Sequence, residues 1–167
     1  NNKFEFLAES ELKNDFPKTY KYWKTQQVLL DTRDKVKSKL PEWFAYGRSQ
    51  GLNKYGKKLL FPTFANKPNF LIIDNADALF CNGYAVFEND ILPLDVLQKI
   101  LNSSLIDYYV SHTSYSIEGG FYCYQKKYLE NFSIPFMKEN DISFIRKSNQ
   151  DTVNKYLWNM YELVSYE

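Results

Sequence analysis

Pro93-Leu94-Asp95-Val96-Leu97-Gln98-Lys99-Ile100-Leu101-Asn102-Ser103-Ser104-Leu105-Ile106-Asp107-Tyr108-Tyr109-Val110 is the stretch on which the fold class turns. Pro93 suits a first helical turn, and Leu94, Leu97, Leu101, Leu105 and Tyr108 recur at helical spacing. One amphipathic helix is therefore predicted over 93–110, with its leucines in the core. On its N-terminal side lie three short apolar runs, residues 59–64, 70–73 and 79–87, each bounded by turn residues and each predicted as a strand. Asn82-Gly83 inside the third is either a tight hairpin turn or a bulge. On the C-terminal side a polar cluster at 111–116 and Gly119-Gly120 lead into a predicted strand at 121–124. A short helix over 126–129 follows, and Phe132-Ser133-Ile134-Pro135 reads as an extended exit strand.

Helices are predicted to flank this block. The first fifteen residues form a lead-in in which Glu11-Leu12-Lys13 is an exposed helical turn. Asp15-Phe16-Pro17 has the character of a helix start, and Phe16, Tyr20, Trp23 and Leu30 keep helical spacing until Pro41 stops the run. Lys18, Lys21, Lys24, Lys35, Lys37 and Lys39 make the other face of that helix basic. At the far end, Val153, Tyr156, Leu157, Met160, Leu163 and Val164 mark an amphipathic helix over 149–166. The expected class is α+β: a short-stranded mixed sheet with a central amphipathic helix and flanking N- and C-terminal helices. The expected division is a helical lead-in at 1–42, an α+β core at 43–136 and a C-terminal helical segment at 137–167.

Composition narrows the function classes. Cys81 and Cys123 stand far apart, which argues against a zinc site or a disulfide framework and fits a reducing cytoplasm. No apolar stretch approaches the ~20 residues of a membrane span, and no signal-peptide pattern opens the chain. The chain begins Asn-Asn without a methionine, as expected of a piece of a longer protein. The net charge of +1 hides a strong division, with +9 over residues 17–73 and −6 over residues 74–118. A basic first half can face phosphates, or it can be a solvated helix and loop.

Signs of catalysis are sparse. His112 is the single histidine and has no nucleophile motif beside it. There is no phosphate-binding glycine loop and no metal-ligand spacing. Asp74 and Asp77 near a strand end are two acids without a visible third ligand, so no metal site is expected.

Four stretches carry a family resemblance in order. They are the helix from Phe16-Pro17-Lys18-Thr19-Tyr20 through Leu30 and Arg33; Trp43-Phe44-Ala45-Tyr46-Gly47-Arg48-Ser49-Gln50; Leu97 through Leu105 with its Leu101-Asn102-Ser103; and Gly119-Gly120-Phe121-Tyr122 followed by Tyr128-Leu129 and Ile134-Pro135. Over residues 16–136 the chain resembles the TaqI-like C-terminal specificity domain, the target-recognition domain of adenine-specific DNA methyltransferases and fused type II restriction–modification enzymes. The resemblance implies sequence-specific recognition of double-stranded DNA by a non-catalytic module. The covalently attached methyltransferase domain, with or without a fused endonuclease, would bind S-adenosylmethionine. This sequence has neither an Asn/Asp-Pro-Pro-Tyr tetrapeptide nor a cofactor loop, so no cofactor or catalytic residue is expected in it.

Under that resemblance, Arg48 can pair with a guanine edge or a phosphate and Gln50 with adenine. Arg48 can equally be a structural ion pair holding its loop. Ser49, Asn53, Lys54, Lys57 and Lys58 complete a segment free of acids, suited to phosphate contacts or to plain solvent exposure. His112, Ser114 and Tyr115 form either a second base-reading loop or a helix-to-strand turn. Trp23, Trp43 and Trp158 are expected to pack, and Asn102-Ser103 to hold backbone. Alternative readings are a specificity subunit of a multi-subunit restriction–modification complex, a protein- or carbohydrate-binding module using its tyrosines, and a hydrolase using His112.

Overall fold

The computed structural model describes residues 6–32, 42–45 and 54–163. The chain divides into two compact units, residues 1–54 and 55–167, and each is described by itself.

In the first unit α1 (Glu9–Asp15) and α2 (Pro17–Thr25) pair, and α3 (Gln27–Thr32) follows. Pro17 occupies the first turn of α2, where a missing N–H costs nothing. Glu9 ties the pair together, accepting from Lys24 Nζ and from the Tyr20 hydroxyl, each at 3.1 Å. Trp43 and Phe44 pack edge to face at 5.3 Å, and Trp23 lies 5.6 Å from Phe44. The continuous helix predicted from residue 16 onward is interrupted at Gln26. There Thr25 Oγ1 donates back to Tyr22 O at 2.7 Å, and the Gln26 N–H tightens onto Trp23 O at 2.9 Å. Such side-chain bonding competes with the helical ladder. Residues 33–41, including Lys35, Lys37 and Lys39 of the basic face, lie outside the described residues.

The second unit is α+β, as the sequence predicts. Its described strands form two small antiparallel sheets where one mixed sheet was expected. The first sheet has the order β3–β1–β4, from β1 (Lys58–Phe61), β3 (Leu71–Ile73) and β4 (Tyr84–Phe87). The second has the order β2–β6–β5, from β2 (Phe64–Ala65), β5 (Ser116–Ile117) and β6 (Phe121–Cys123). The predicted 59–64 strand thus splits at Pro62. Proline has no N–H for a ladder, and from Thr63, whose carbonyl accepts from Tyr124 N at 2.8 Å, the chain enters the other sheet. The predicted 79–87 strand shrinks to its second half. Leu79 is half exposed, and Gly83 enters β4 at φ +123°, where a Cβ would lie 2.6 Å from Phe61 O. Asn82-Gly83 is therefore neither a hairpin turn nor a bulge within a strand. It is the close approach that lets β4 begin against β1.

The predicted 93–110 helix is two helices, α4 (Leu94–Leu101) and α5 (Ser104–Thr113). The break has a cause. Asn102 Oδ1 accepts from Phe70 N at 2.8 Å and its Nδ2 donates to Phe70 O at 2.9 Å, so the side chain clasps the backbone just before β3. Gln98 Nε2 donates to the same carbonyl at 2.9 Å. Ser103, fully buried, accepts from Ile106 N and caps α5.

Beyond the second sheet come α6 (Lys126–Leu129), α7 (Glu139–Lys147) and α8 (Gln150–Met160). Residues 132–135, expected as a strand, pair with no strand among the described residues. Phe132 instead stacks on Tyr161 at 5.6 Å, whose hydroxyl donates to Ser133 O. Sequence periodicity does not mark α7. It is tied to α4 by Lys99, whose ammonium donates to the carbonyls of Ile145, Arg146 and Ser148 at 3.1, 2.8 and 2.6 Å. Ile145, Val153 and Leu157 are fully buried in one core with Leu59, Val96, Ile100 and Ile106. Cys81 is exposed, Cys123 is buried, and both are free. Among the described residues no helix is long and apolar enough to cross a membrane.

Candidate nucleic-acid interface

Three of the residues singled out in sequence come together where α5 gives way to the second sheet. His112 sits one turn after Tyr108, with ring centroids 4.2 Å apart. Its Nδ1 lies 2.7 Å from Tyr108 O, which can only accept, so Nδ1 donates. Ser114 ends α5 in extended geometry, with its hydroxyl buried and without a hydrogen-bond partner among the described residues. Tyr115 is 45% exposed and meets Phe64 and Tyr128 edge-on, each at 6.1 Å. A hydrogen bond with Cys123 is the main cause holding its phenol above the usual tyrosine range, so it remains a neutral donor and acceptor.

The β5–β6 hairpin continues this surface, with Ser116 opposite Tyr122 and Ile117 opposite Phe121. It turns through Glu118-Gly119-Gly120, the glycines at φ +87° and +77°, a conformation that L side chains resist. Immediately after β6, α6 brings exposed Lys126 and Lys127. Lys127 Nζ stands 4.6 Å from the centre of the Tyr128 ring, and its hydrogen bond with Tyr128 raises its pKa. Among the described residues Lys126 makes only a 3.7 Å surface pair with Glu130.

The other group separates into different roles. Lys57 is part-exposed just before β1, the central strand of the first sheet, and paired with Asp74 at 2.8 Å, which raises its pKa. Lys58 is the correction. It is fully buried, donates to Ala76 O at 3.2 Å and Ala78 O at 2.9 Å, and lies 5.5 Å from the Phe87 ring centre. An ammonium held inside by carbonyls is a strut for the 76–78 loop and is not available to a phosphate. Lys54 is exposed. Arg48, Ser49, Gln50 and Asn53 lie outside the described residues. No hydrogen bond, ion pair or ring contact joins Lys57 or Lys58 to the hairpin group among the described residues.

Sequence reasoning missed Lys126, Lys127 and Phe121. The Lys-Lys-Tyr run beside a glycine-led strand was the available signal. Asp74 faces Lys57, and among the described residues no three His, Cys, Asp or Glu side chains gather as a metal site. The surface so assembled combines outward donors and acceptors, aromatic faces and two lysines. That chemistry suits contact with phosphates and base edges.

No protein-family model matches the chain. Over 172 residues it is 26% identical to the type II restriction enzyme and methyltransferase RM.Eco57I of Escherichia coli. The chain is similar to a segment of a restriction–modification enzyme. The alignment takes in 92% of this chain and 17% of that protein, so the chain spans about a sixth of the relative's length.

Proposed function

We propose that the chain is the DNA target-recognition part of an N6-adenine methyltransferase or restriction–modification enzyme, reading sequence without carrying out the chemistry. The observation that carries this reading is the similarity to RM.Eco57I along nearly the whole chain. It coincides with the order of the Tyr46-Gly47-Arg48, Leu101-Asn102-Ser103 and Gly119-Gly120 motifs. The surface from His112 to Lys127 supports it by its chemistry. Methyl transfer, and with it S-adenosylmethionine, belongs on this reading to another part of the same polypeptide.

Two segments supply the contacts. The 46–57 stretch offers Arg48 and Gln50 for base edges with Lys54 and Lys57 for phosphates. The α5 end offers His112 and Tyr115, while the buried Ser114 hydroxyl faces the fold. Phosphate contacts fix register and base contacts select sequence. The test is fluorescence anisotropy of the chain with a labelled mixed-sequence duplex at low salt, comparing wild type with Arg48→Ala. The expected result is binding by wild type, weakened about fivefold or more by the substitution, the scale of one lost charged contact. Equal binding by both proteins removes Arg48 from the interface, and failure of both to bind contradicts the reading.

A further inference from the structure

The β5–β6 hairpin carries an anomaly at its end. Ile117 and Phe121 form a cross-strand pair, yet they are 42% and 40% exposed. Cross-strand apolar pairs ordinarily stabilise a sheet by packing on a covered face. Phe121 also leans toward the turn, its ring 3.4 Å from where a Gly119 Cβ would stand, while a Cβ on Gly120 would meet nothing within 4 Å. The tip therefore carries little side-chain bulk, with an aromatic ring beside it. Glu118 at the turn is exposed and takes no hydrogen bond or ion pair among the described residues.

We propose that this hairpin enters the major groove and reads bases, an inference that rests on the DNA-recognition reading above. Glu118 accepts from a cytosine N4 amino group, and the Ile117–Phe121 pair packs on a thymine methyl. Lys126 and Lys127 on α6 hold flanking phosphates. The dimensions fit, since a groove about 12 Å wide admits a two-stranded ribbon whose strands lie about 4.8 Å apart. The charges distinguish this from backbone binding. A carboxylate at the tip is repelled by phosphate and gains only from an amino donor, whereas the two lysines behind it attract phosphate wherever the tip lands. The Lys126–Glu130 pair is an exposed contact that can be exchanged for phosphate at little cost.

The test begins with selection of the whole chain on a randomised duplex pool. Anisotropy then follows on the enriched duplex and on single-position changes, including deoxyuridine for thymidine. Wild type, Glu118→Gln, Phe121→Ala and the double variant Lys126→Ala/Lys127→Ala are compared, with circular dichroism to confirm that each is folded. Glu118→Gln is expected to lose discrimination for cytosine at one position by roughly fivefold to a hundredfold, the range of one base contact. Phe121→Ala is expected to lose the preference for thymidine over deoxyuridine at one position. The lysine variant weakens all sequences alike. If the two hairpin variants keep the wild-type preferences, or weaken every sequence equally, the hairpin is not a reader although the chain still binds DNA. If wild type enriches no sequence, the DNA reading fails together with it.

Discussion

Lys58 and Lys57 are neighbours with opposite duties. Lys58 holds two carbonyls from inside the fold, and hydrogen bonds to a charged group contribute about 1.5–3 kcal/mol each when their loss strands the partner. Lys58→Ala is expected to destabilise the protein by about 2 kcal/mol or more in urea denaturation, on the same scale of interaction. Lys57→Ala removes an exposed pair and is expected to leave stability nearly unchanged in the same measurement; on the proposed reading its effect is expected in DNA binding instead. Asp107 gives a pH signature. Burial raises its carboxyl pKa, and the hydrogen bond from Tyr124 pulls the other way. A group with a raised folded pKa favours the fold fully below its ordinary value of 3.8, and that contribution is lost as pH rises through the raised value. At neutral pH its charge is thus a cost. Asp107→Asn is expected to raise the unfolding midpoint at about pH 7, with the gain vanishing near pH 3, where aspartate is already neutral. Thermal unfolding across pH checks this, and a gain independent of pH contradicts it.

At the scale of elements, α8 makes the strongest claim. It buries Val153 and Leu157, and its polar residues grip the α4–α5 junction: Asn154 accepts from Ser104 N, Gln150 donates to Lys99 O and Trp158 donates to Ser104 Oγ. Leu157→Ala is expected to cost about 2–5 kcal/mol, read from the denaturation midpoint. Little or no loss would mean that α8 is peripheral. Periodicity marked α8, although the helix ends at Met160, short of the predicted 166, with Leu163 exposed and Val164 outside the described residues; it also marked the core leucines of α4, and glycines marked the β5–β6 turn. The break at Asn102-Ser103 escaped because Leu101 and Leu105 keep helical spacing across it, and the clasp on Phe70 is a contact between residues 32 apart. Two positions in α7, Ile142 and Ile145, make too short a stripe to register. Lys58 looked exposed because it was read as the end of a polar, acid-free segment ahead of the 59–64 strand, whereas it opens β1 and is covered there. His112, Ser114 and Tyr115 stood out by composition alone. Lys126, Lys127 and Phe121 joined them only through strand pairing and the chain path after β6.

At the scale of the molecule, the net charge of +1 predicts no general attraction to DNA. On the proposed reading, binding would come from placed cations, as in the 46–57 stretch and α6, acting against the acidic 74–118 region. Such binding is salt-sensitive in proportion to the phosphates engaged, whereas a protein- or carbohydrate-binding surface made of tyrosines is not. The most direct measurement is the affinity of the whole chain for duplex DNA across a series of salt concentrations. The logarithm of the binding constant is expected to fall linearly with the logarithm of salt, losing at least about tenfold between roughly 50 and 200 mM. Affinity that stays level across that range, or no binding at its lowest point, would contradict DNA recognition as the work of this chain.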